Sequence, residues 1–203
     1  MVEKYFLDTN VIVDYILFKL ALEQQKDKRG FIENFSKSEE FKKAHSRILN
    51  SYNSFELLLR KTNGYVFTSH LALAEVIKVI LERYQLNKLT DEGISLKEWF
   101  ILKENIKLSK EDRKELKMGI KNFQKLFIRK TKKIGLANDS NLEKILFYIV
   151  SRNIDTYDAF LVSQAKAKKI DYFVTNDRQL KPKLKGIIAT LSSQQFHDKL
   201  MES

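Results

Sequence analysis

The sequence of 203 residues contains no cysteine, one proline, six glycines and three histidines. The absence of cysteine excludes disulfides, thiolate metal sites and a cysteine nucleophile, and it fits a reducing compartment. So little proline and glycine leaves few turns for a many-stranded β sandwich or barrel, and long helices are therefore expected. The histidines, His45, His70 and His197, are widely separated, which argues against a histidine metal site or a His-based triad.

Long apolar runs are also missing. No run approaches the 18 or so residues that a membrane helix needs, and Asp8 interrupts the region where a secretory signal would be apolar. We therefore expect a soluble, cytoplasmic protein. Hydrophobic residues make up 43% of the chain, and 14 of the residues are phenylalanine, so wholesale disorder is excluded. The length favours a single domain with insertions over two independent domains.

Positive charge is abundant and unevenly distributed. Lys and Arg number 37 against 26 Asp and Glu, and the net charge of +11 favours an anionic partner such as nucleic acid. Residues 103–133 hold twelve basic and four acidic residues, which is eight of these eleven excess charges. Within this segment we predict that the RNA backbone is contacted by Lys114, Lys117, Lys121 and Lys125. The alternatives are an ordinary solvated helix face and an acidic membrane surface, and the lack of Trp or Phe on the basic face disfavours the membrane.

Short apolar strands alternate with helical patterns along the chain. Strands are predicted at residues 5–7, 65–67, 172–175 and 186–189. Helices are predicted between them, with starts indicated by a capping box at Ser36–Glu39, by Thr68 or Ser69, by Ser109, by Ser140, near Thr156 and by Ser192 or Ser193. This alternation predicts an α/β fold with a mainly parallel sheet. We treat residues 1–203 as one domain with helical insertions at about 23–62 and 86–137.

Four acidic residues occur where such a sheet would bring them together. Asp8 ends the first strand, Asp177 follows a late strand, and Glu75 and Asp158 lie on helices. Sites in open parallel sheets gather beyond the carboxyl ends of the strands. Carboxylates crowded there repel one another unless a cation neutralises them, and oxygen ligands without Cys or His select Mg²⁺ or Mn²⁺.

The segments around these acids carry a family resemblance. FLDTNVIVD (Phe6–Asp14), SHLALAEV (Ser69–Val76), YDAFLVSQA (Tyr157–Ala165) and VTND (Val174–Asp177) occur in the order found in the PIN-domain nuclease family, which the chain resembles. The resemblance implies a three-layer α/β/α sandwich and a Mg²⁺- or Mn²⁺-dependent nuclease acting mostly on RNA. It implies that the acidic metal site is formed by Asp8, Glu75, Asp158 and Asp177, with Asn10 and Thr175 at supporting positions. The basic insertion and much of residues 23–62 lie outside the resemblance.

These observations together predict a metal-dependent endoribonuclease that hydrolyses RNA phosphodiesters. The resemblance implies products with a 5′-phosphate and a 3′-hydroxyl. The toxin ribonucleases of toxin–antitoxin pairs are the nearest functional analogy, and a processing or defence nuclease stays open. The alternative is a catalytically inactive PIN scaffold that binds RNA or a protein partner. An antitoxin, another protein or a second copy of the chain in a homodimer are the candidate protein partners. For Asp14 a solvated, a capping and a supporting role stay open.

Overall fold

The computed structural model describes residues 3–23, 25–29, 32, 42–60, 65–91, 98, 109–111, 113–114, 117–118, 121 and 134–202. The strands in these ranges are β1 (Lys4–Leu7), β2 (Tyr65–Thr68), β3 (Ile134–Leu136), β4 (Tyr172–Val174) and β5 (Ala189–Leu191). The helices are α1 (Thr9–Glu23), α2 (Lys42–Arg60), α3 (His70–Asp91), α4 (Leu142–Arg152), α5 (Thr156–Ala167), α6 (Leu180–Lys183) and α7 (Ser193–Glu202). The predicted α/β fold is confirmed.

The five strands form one sheet in the order β3-β2-β1-β4-β5, and every pairing is parallel. β1 lies at the centre, where Phe6 is in register with Phe67 of β2 and Phe173 of β4. Because all strands run in the same direction, their carboxyl ends meet along one edge. The order reverses between β1 and β4, since β2 and β3 extend to one side of β1 and β4 and β5 to the other.

Helices pack on both faces of this sheet. Tyr5 and Leu7 belong to an apolar cluster with α1, α2 and α7, whereas Phe6 belongs to a second cluster with α4 and α5. The rings of Phe6 and Phe173 stack with centroids 5.3 Å apart, and both residues are fully buried. Burial on both faces explains why Tyr5–Leu7 of β1 and Tyr172–Val174 of β4 are consecutive apolar residues instead of alternating with polar ones.

Side chains at the starts of the helices account for several helix boundaries. Ser69 Oγ accepts a hydrogen bond from Ala72 N at 3.1 Å at the start of α3. Ser192 and Gln195 form a reciprocal capping box at α7: Ser192 Oγ accepts from Gln195 N at 3.2 Å, and Gln195 Oε1 accepts from Ser192 N at 2.9 Å. These bonds satisfy backbone N–H groups that have no partner within the helix.

Two predicted elements differ from the structure. β3 lies inside residues 86–137, where helix was predicted, because a three-residue strand with a central glycine gives no readable strand pattern. The strand predicted at 186–189 is found at Ala189–Leu191, because Gly186 has a φ of 81° and belongs to a turn. The predicted capping box at Ser36–Glu39 and most of the helix predicted from Ser109 lie outside the described residues.

Candidate active site

The candidate site lies where the strand order reverses. Asp8 directly follows β1, and Thr175, Asn176 and Asp177 directly follow β4, the neighbouring strand. Asp8 N donates to Val174 O at 3.0 Å, so the hydrogen bonding between β1 and β4 continues as far as Asp8. The carboxyl edge at such a reversal is the usual ligand-binding crevice of open parallel sheets.

Asp8 is 3% exposed, and neutral donors engage both of its carboxylate oxygens. Oδ1 accepts from Thr9 N at 2.7 Å, and Oδ2 accepts from Asn10 Nδ2 at 2.7 Å and from Thr175 Oγ1 at 2.6 Å. Burial raises the pKa of Asp8 to about 7; the Thr175 hydrogen bond opposes this rise, and the charge of Asp158 adds to it. Within the described residues, no Lys, Arg or His makes an ion pair with Asp8.

Asn10 and Thr175, the predicted supporting residues, connect the loops that follow β1 and β4. Asn10 Nδ2 also donates to Thr175 Oγ1 at 3.1 Å, and Asn10 Oδ1 accepts from Asn176 N at 3.0 Å. Thr175 Oγ1 in turn accepts from Asp177 N at 3.0 Å. Both side chains therefore fix the position of Asp8 relative to Asp177.

The other predicted acids lie around Asp8. Glu75, in the second turn of α3, accepts a hydrogen bond from Thr9 Oγ1 at 2.6 Å. Asp158, in the first turn of α5, has its pKa raised to about 6, first by burial and then by the charge of Asp177, with a contribution from Glu75. The charge of Glu75 also raises the pKa of Asp8. The four carboxylates therefore form one region of mutual repulsion.

In the part of the chain that is described, no group of three or more acidic or histidine side chains could hold a metal ion as it stands. Donors already engage both oxygens of Asp8, and Asp177 Oδ1 accepts from Gln179 N at 2.6 Å and Leu180 N at 3.1 Å at the start of α6. The chemistry of the donor set nevertheless fits a hard divalent ion, because it is all oxygen and a cation would relieve the repulsion. Asp158 accepts no hydrogen bond from the described residues, so its carboxylate would be available to such an ion.

Asp14, whose role the sequence left open, forms an ion pair beside this region. It is 6% exposed; Arg47 Nε lies 3.0 Å from its Oδ2, and Arg47 Nη2 donates to its Oδ1 at 3.2 Å. Asn176 Nδ2 also donates to Asp14 Oδ2 at 3.1 Å. Burial raises the pKa of Asp14, and the charge of Arg47 opposes this rise. Asp14 is therefore compensated by a cation and acts as a structural residue.

Asn176 extends this contact to the last helix. Its Oδ1 accepts from Ser193 N at 3.1 Å and from Ser193 Oγ at 2.7 Å, and Ser51 Oγ lies 2.8 Å from Ser193 Oγ. The loop that carries Asp177 is thus anchored to α2 and α7. Sequence analysis missed this anchoring; Asn176 stood inside a recognised motif, but nothing in the pattern singled out Arg47, Ser51 or Ser193.

The lysines predicted to contact RNA are only partly described. Lys114, Lys117 and Lys121 are exposed and line a cleft of about 870 Å³ together with Lys110 and Arg113. Lys125 lies outside the described residues. Lysine side chains must be exposed to contact RNA, and these three are. Their contact with RNA stays a prediction.

Comparison with known proteins assigns no family to this chain. No model of a protein family matches the chain, and no curated protein matches it. A solved structure, the crystal structure of PAE2754 from Pyrobaculum aerophilum, aligns over 100% of both chains with 16% identity and a TM-score of 0.46. A similarity this weak says nothing about function. None of the described helices is long and apolar enough to cross a bilayer.

Proposed function

We propose that this chain is a PIN-like, Mg²⁺- or Mn²⁺-dependent endoribonuclease whose catalytic acids are Asp8, Glu75, Asp158 and Asp177. One observation carries the proposal: Asp8 is buried at the reversal point of a parallel sheet, burial and then the charges of other carboxylates raise its pKa, and only neutral donors compensate it. A purely structural acid in that position would be expected to have a cation partner. The net charge of +11 supports a polyanionic substrate.

In this proposal Asp8, Asp158 and Asp177 hold one or two ions, and Glu75 contributes directly or through water. The chemistry that such an ion supplies when bound is a lowered pKa of a coordinated water and stabilisation of the charge that develops on the phosphodiester. Thr175 and Asn10 hold Asp8 in place by hydrogen bonds, as Thr9 holds Glu75. No covalent enzyme intermediate is required, and the expected 5′-phosphate product means that the RNA 2′-hydroxyl is not the nucleophile.

The test is cleavage of a structured RNA mixture with Mg²⁺, with Mn²⁺ or with EDTA. Loss of a residue that merely supports a metal ligand already costs about 10- to 100-fold in activity, so Asp8→Asn should cost more than about 100-fold. Asp198→Asn, which removes an exposed carboxylate on α7, is the matched control and should be fully active. A thermal melt of the same Asp8→Asn preparation checks that the variant is folded, so that a loss of cleavage reports on the site. Full activity of Asp8→Asn would exclude it from the catalytic site.

The second candidate function is the catalytically inactive scaffold that binds RNA or a protein. The observation in its favour is that the described residues hold no group of three acidic or histidine side chains ready to take a metal ion. It predicts RNA binding that is indifferent to divalent ions, with no cleavage by wild type or by Asp8→Asn. Cleavage that EDTA abolishes would exclude it.

A further inference from the structure

A cleft of about 760 Å³ opens beside the candidate active site, and we name it the Arg178 cleft. Its volume falls in the range of about 300–1,000 Å³ that is usual for ligand sites. The lining residues that matter here are Arg47, Asn176, Asp177, Arg178, Lys181 and Ser193. Asp177 belongs both to this cleft and to the acidic region, so a ligand in the cleft lies next to the proposed catalytic acids.

Two cations of this cleft have no acidic partner within the described residues. Arg178 is exposed and Lys181 is partly buried, and no described carboxylate lies within ion-pair distance of either side chain. Burial, followed by the charge of Arg178, lowers the pKa of Lys181, so the two cations are close enough to repel each other. An anion between them would relieve this repulsion. Asp177 lies nearby, but its Oδ1 accepts hydrogen bonds from Gln179 N and Leu180 N at the start of α6.

A third cation, Arg47, also lines the cleft. Asp14 engages the Nε and Nη2 edge of the Arg47 guanidinium, and Nη1 has no partner among the described residues. An arginine fixed on one edge loses little conformational freedom when its remaining donors bind a phosphate. Asn176 holds the same Asp14 and also contacts Ser193, so the cleft walls are connected by hydrogen bonds.

We propose that the Arg178 cleft binds a backbone phosphate of RNA next to the scissile one, through Arg47, Arg178 and Lys181. This inference rests on the proposed function, because it takes RNA as the substrate. Guanidinium groups match the oxygens of a phosphate, and the position beside Asp177 suits a strand that continues from the acidic region. Phosphate contacts of this kind fix the register of the strand and carry no sequence information.

The test measures RNA binding without catalysis. Fluorescence anisotropy of a labelled single-stranded RNA is recorded in EDTA over a range of salt concentrations for wild type and Arg178→Gln/Lys181→Gln. Arg47 is left intact because its removal would strip buried Asp14 of its cation. The matched control is Lys144→Gln/Arg152→Gln, which removes two exposed cations from α4 and leaves the same net charge.

The cleft variant should bind RNA about tenfold more weakly at low salt. The slope of log affinity against log salt should become shallower by about 0.7, which corresponds to one lost phosphate contact on a single strand. The control variant should keep the wild-type slope. Equal losses in both variants, no loss in the cleft variant, or no RNA binding by wild type would each overturn the proposal. The same titration is repeated with a labelled poly-glutamate peptide. Loss of peptide binding by the cleft variant, with RNA binding intact, would also overturn the proposal, in favour of a protein partner.

Failure of the nuclease proposal gives a different result. RNA binding that depends on the cleft, combined with no cleavage in Mg²⁺ or Mn²⁺, would exclude the nuclease and leave the cleft assignment standing. Cleavage that depends on Asp8, combined with RNA binding that is unchanged in Arg178→Gln/Lys181→Gln, would exclude the cleft assignment and leave the nuclease proposal standing.

Discussion

Asp8 and Asp14 are both buried, both have a raised pKa, and both lie at or near the start of α1, yet their surroundings differ in one respect. Asp14 has the guanidinium of Arg47 against it. Asp8 has three neutral donors and other carboxylates near it. The charge of a buried carboxylate is neutralised when a cation of the protein is paired with it. A buried carboxylate that is held only by neutral donors is suited to bind an external cation. The comparison therefore separates a structural acid from a candidate catalytic acid.

Removing the cation from the structural acid should cost the most stability. Arg47→Met leaves Asp14 buried with only neutral partners, Asn176 and Ser51, and we expect the free energy of unfolding to fall by about 2–3 kcal/mol. Chemical denaturation near neutral pH measures this. Arg152→Met, which changes an exposed arginine on α4, is the control and should change little. If both variants were equally stable, the Arg47 contact would contribute nothing and the comparison with Asp8 would lose its basis.

Removing a neutral donor from Asp8 should instead reduce activity. Thr175→Val deletes the hydroxyl that donates to Asp8 Oδ2 at 2.6 Å, and we expect cleavage to fall by about 10- to 100-fold. Because that hydrogen bond favours the charged form, its loss should raise the pKa of Asp8 further and move the acidic limb of the pH–rate profile upward. Thr190→Val on β5 is the control. An unchanged profile would mean that Thr175 does not support a reacting group.

The pH dependence of stability should be the smallest effect. The folded-state pKa values of about 7 for Asp8 and 6 for Asp158 exceed the ordinary value of 3.8, so their contribution to stability is fully present below about pH 4 and is lost as pH rises through 7. In EDTA, wild type should therefore lose about 1–2 kcal/mol more between pH 6 and pH 8 than Asp8→Asn/Asp158→Asn does. Thermal or chemical denaturation at both pH values measures the difference, and parallel pH curves would show that neither carboxyl has a raised pKa.

The sequence predicts the site better than it predicts its surroundings. Asp8-Thr9-Asn10 and Thr175-Asn176-Asp177 each directly follow an apolar strand, and parallel strands place such residues at one edge, so the proximity of Asp8, Asn10 and Thr175 follows from the pattern. The ion pair between Asp14 and Arg47 joins residues 33 positions apart on different helices, and no local signal encodes it. β3 was missed for a related reason, since its three residues form a strand only because the edge of β2 is there to pair with.

The central claim is that the acids around Asp8 bind a divalent ion, and the most direct test is the melting temperature with and without Mg²⁺ or Mn²⁺. An ion bound only by the folded state stabilises it by about 2.7 kcal/mol at a concentration of 100 times Kd. Wild type should therefore melt at a higher temperature with the ion present. Asp14→Asn should keep that shift, and Asp8→Asn/Asp158→Asn should lose it. Equal shifts in all three proteins would place the ion elsewhere and contradict the account.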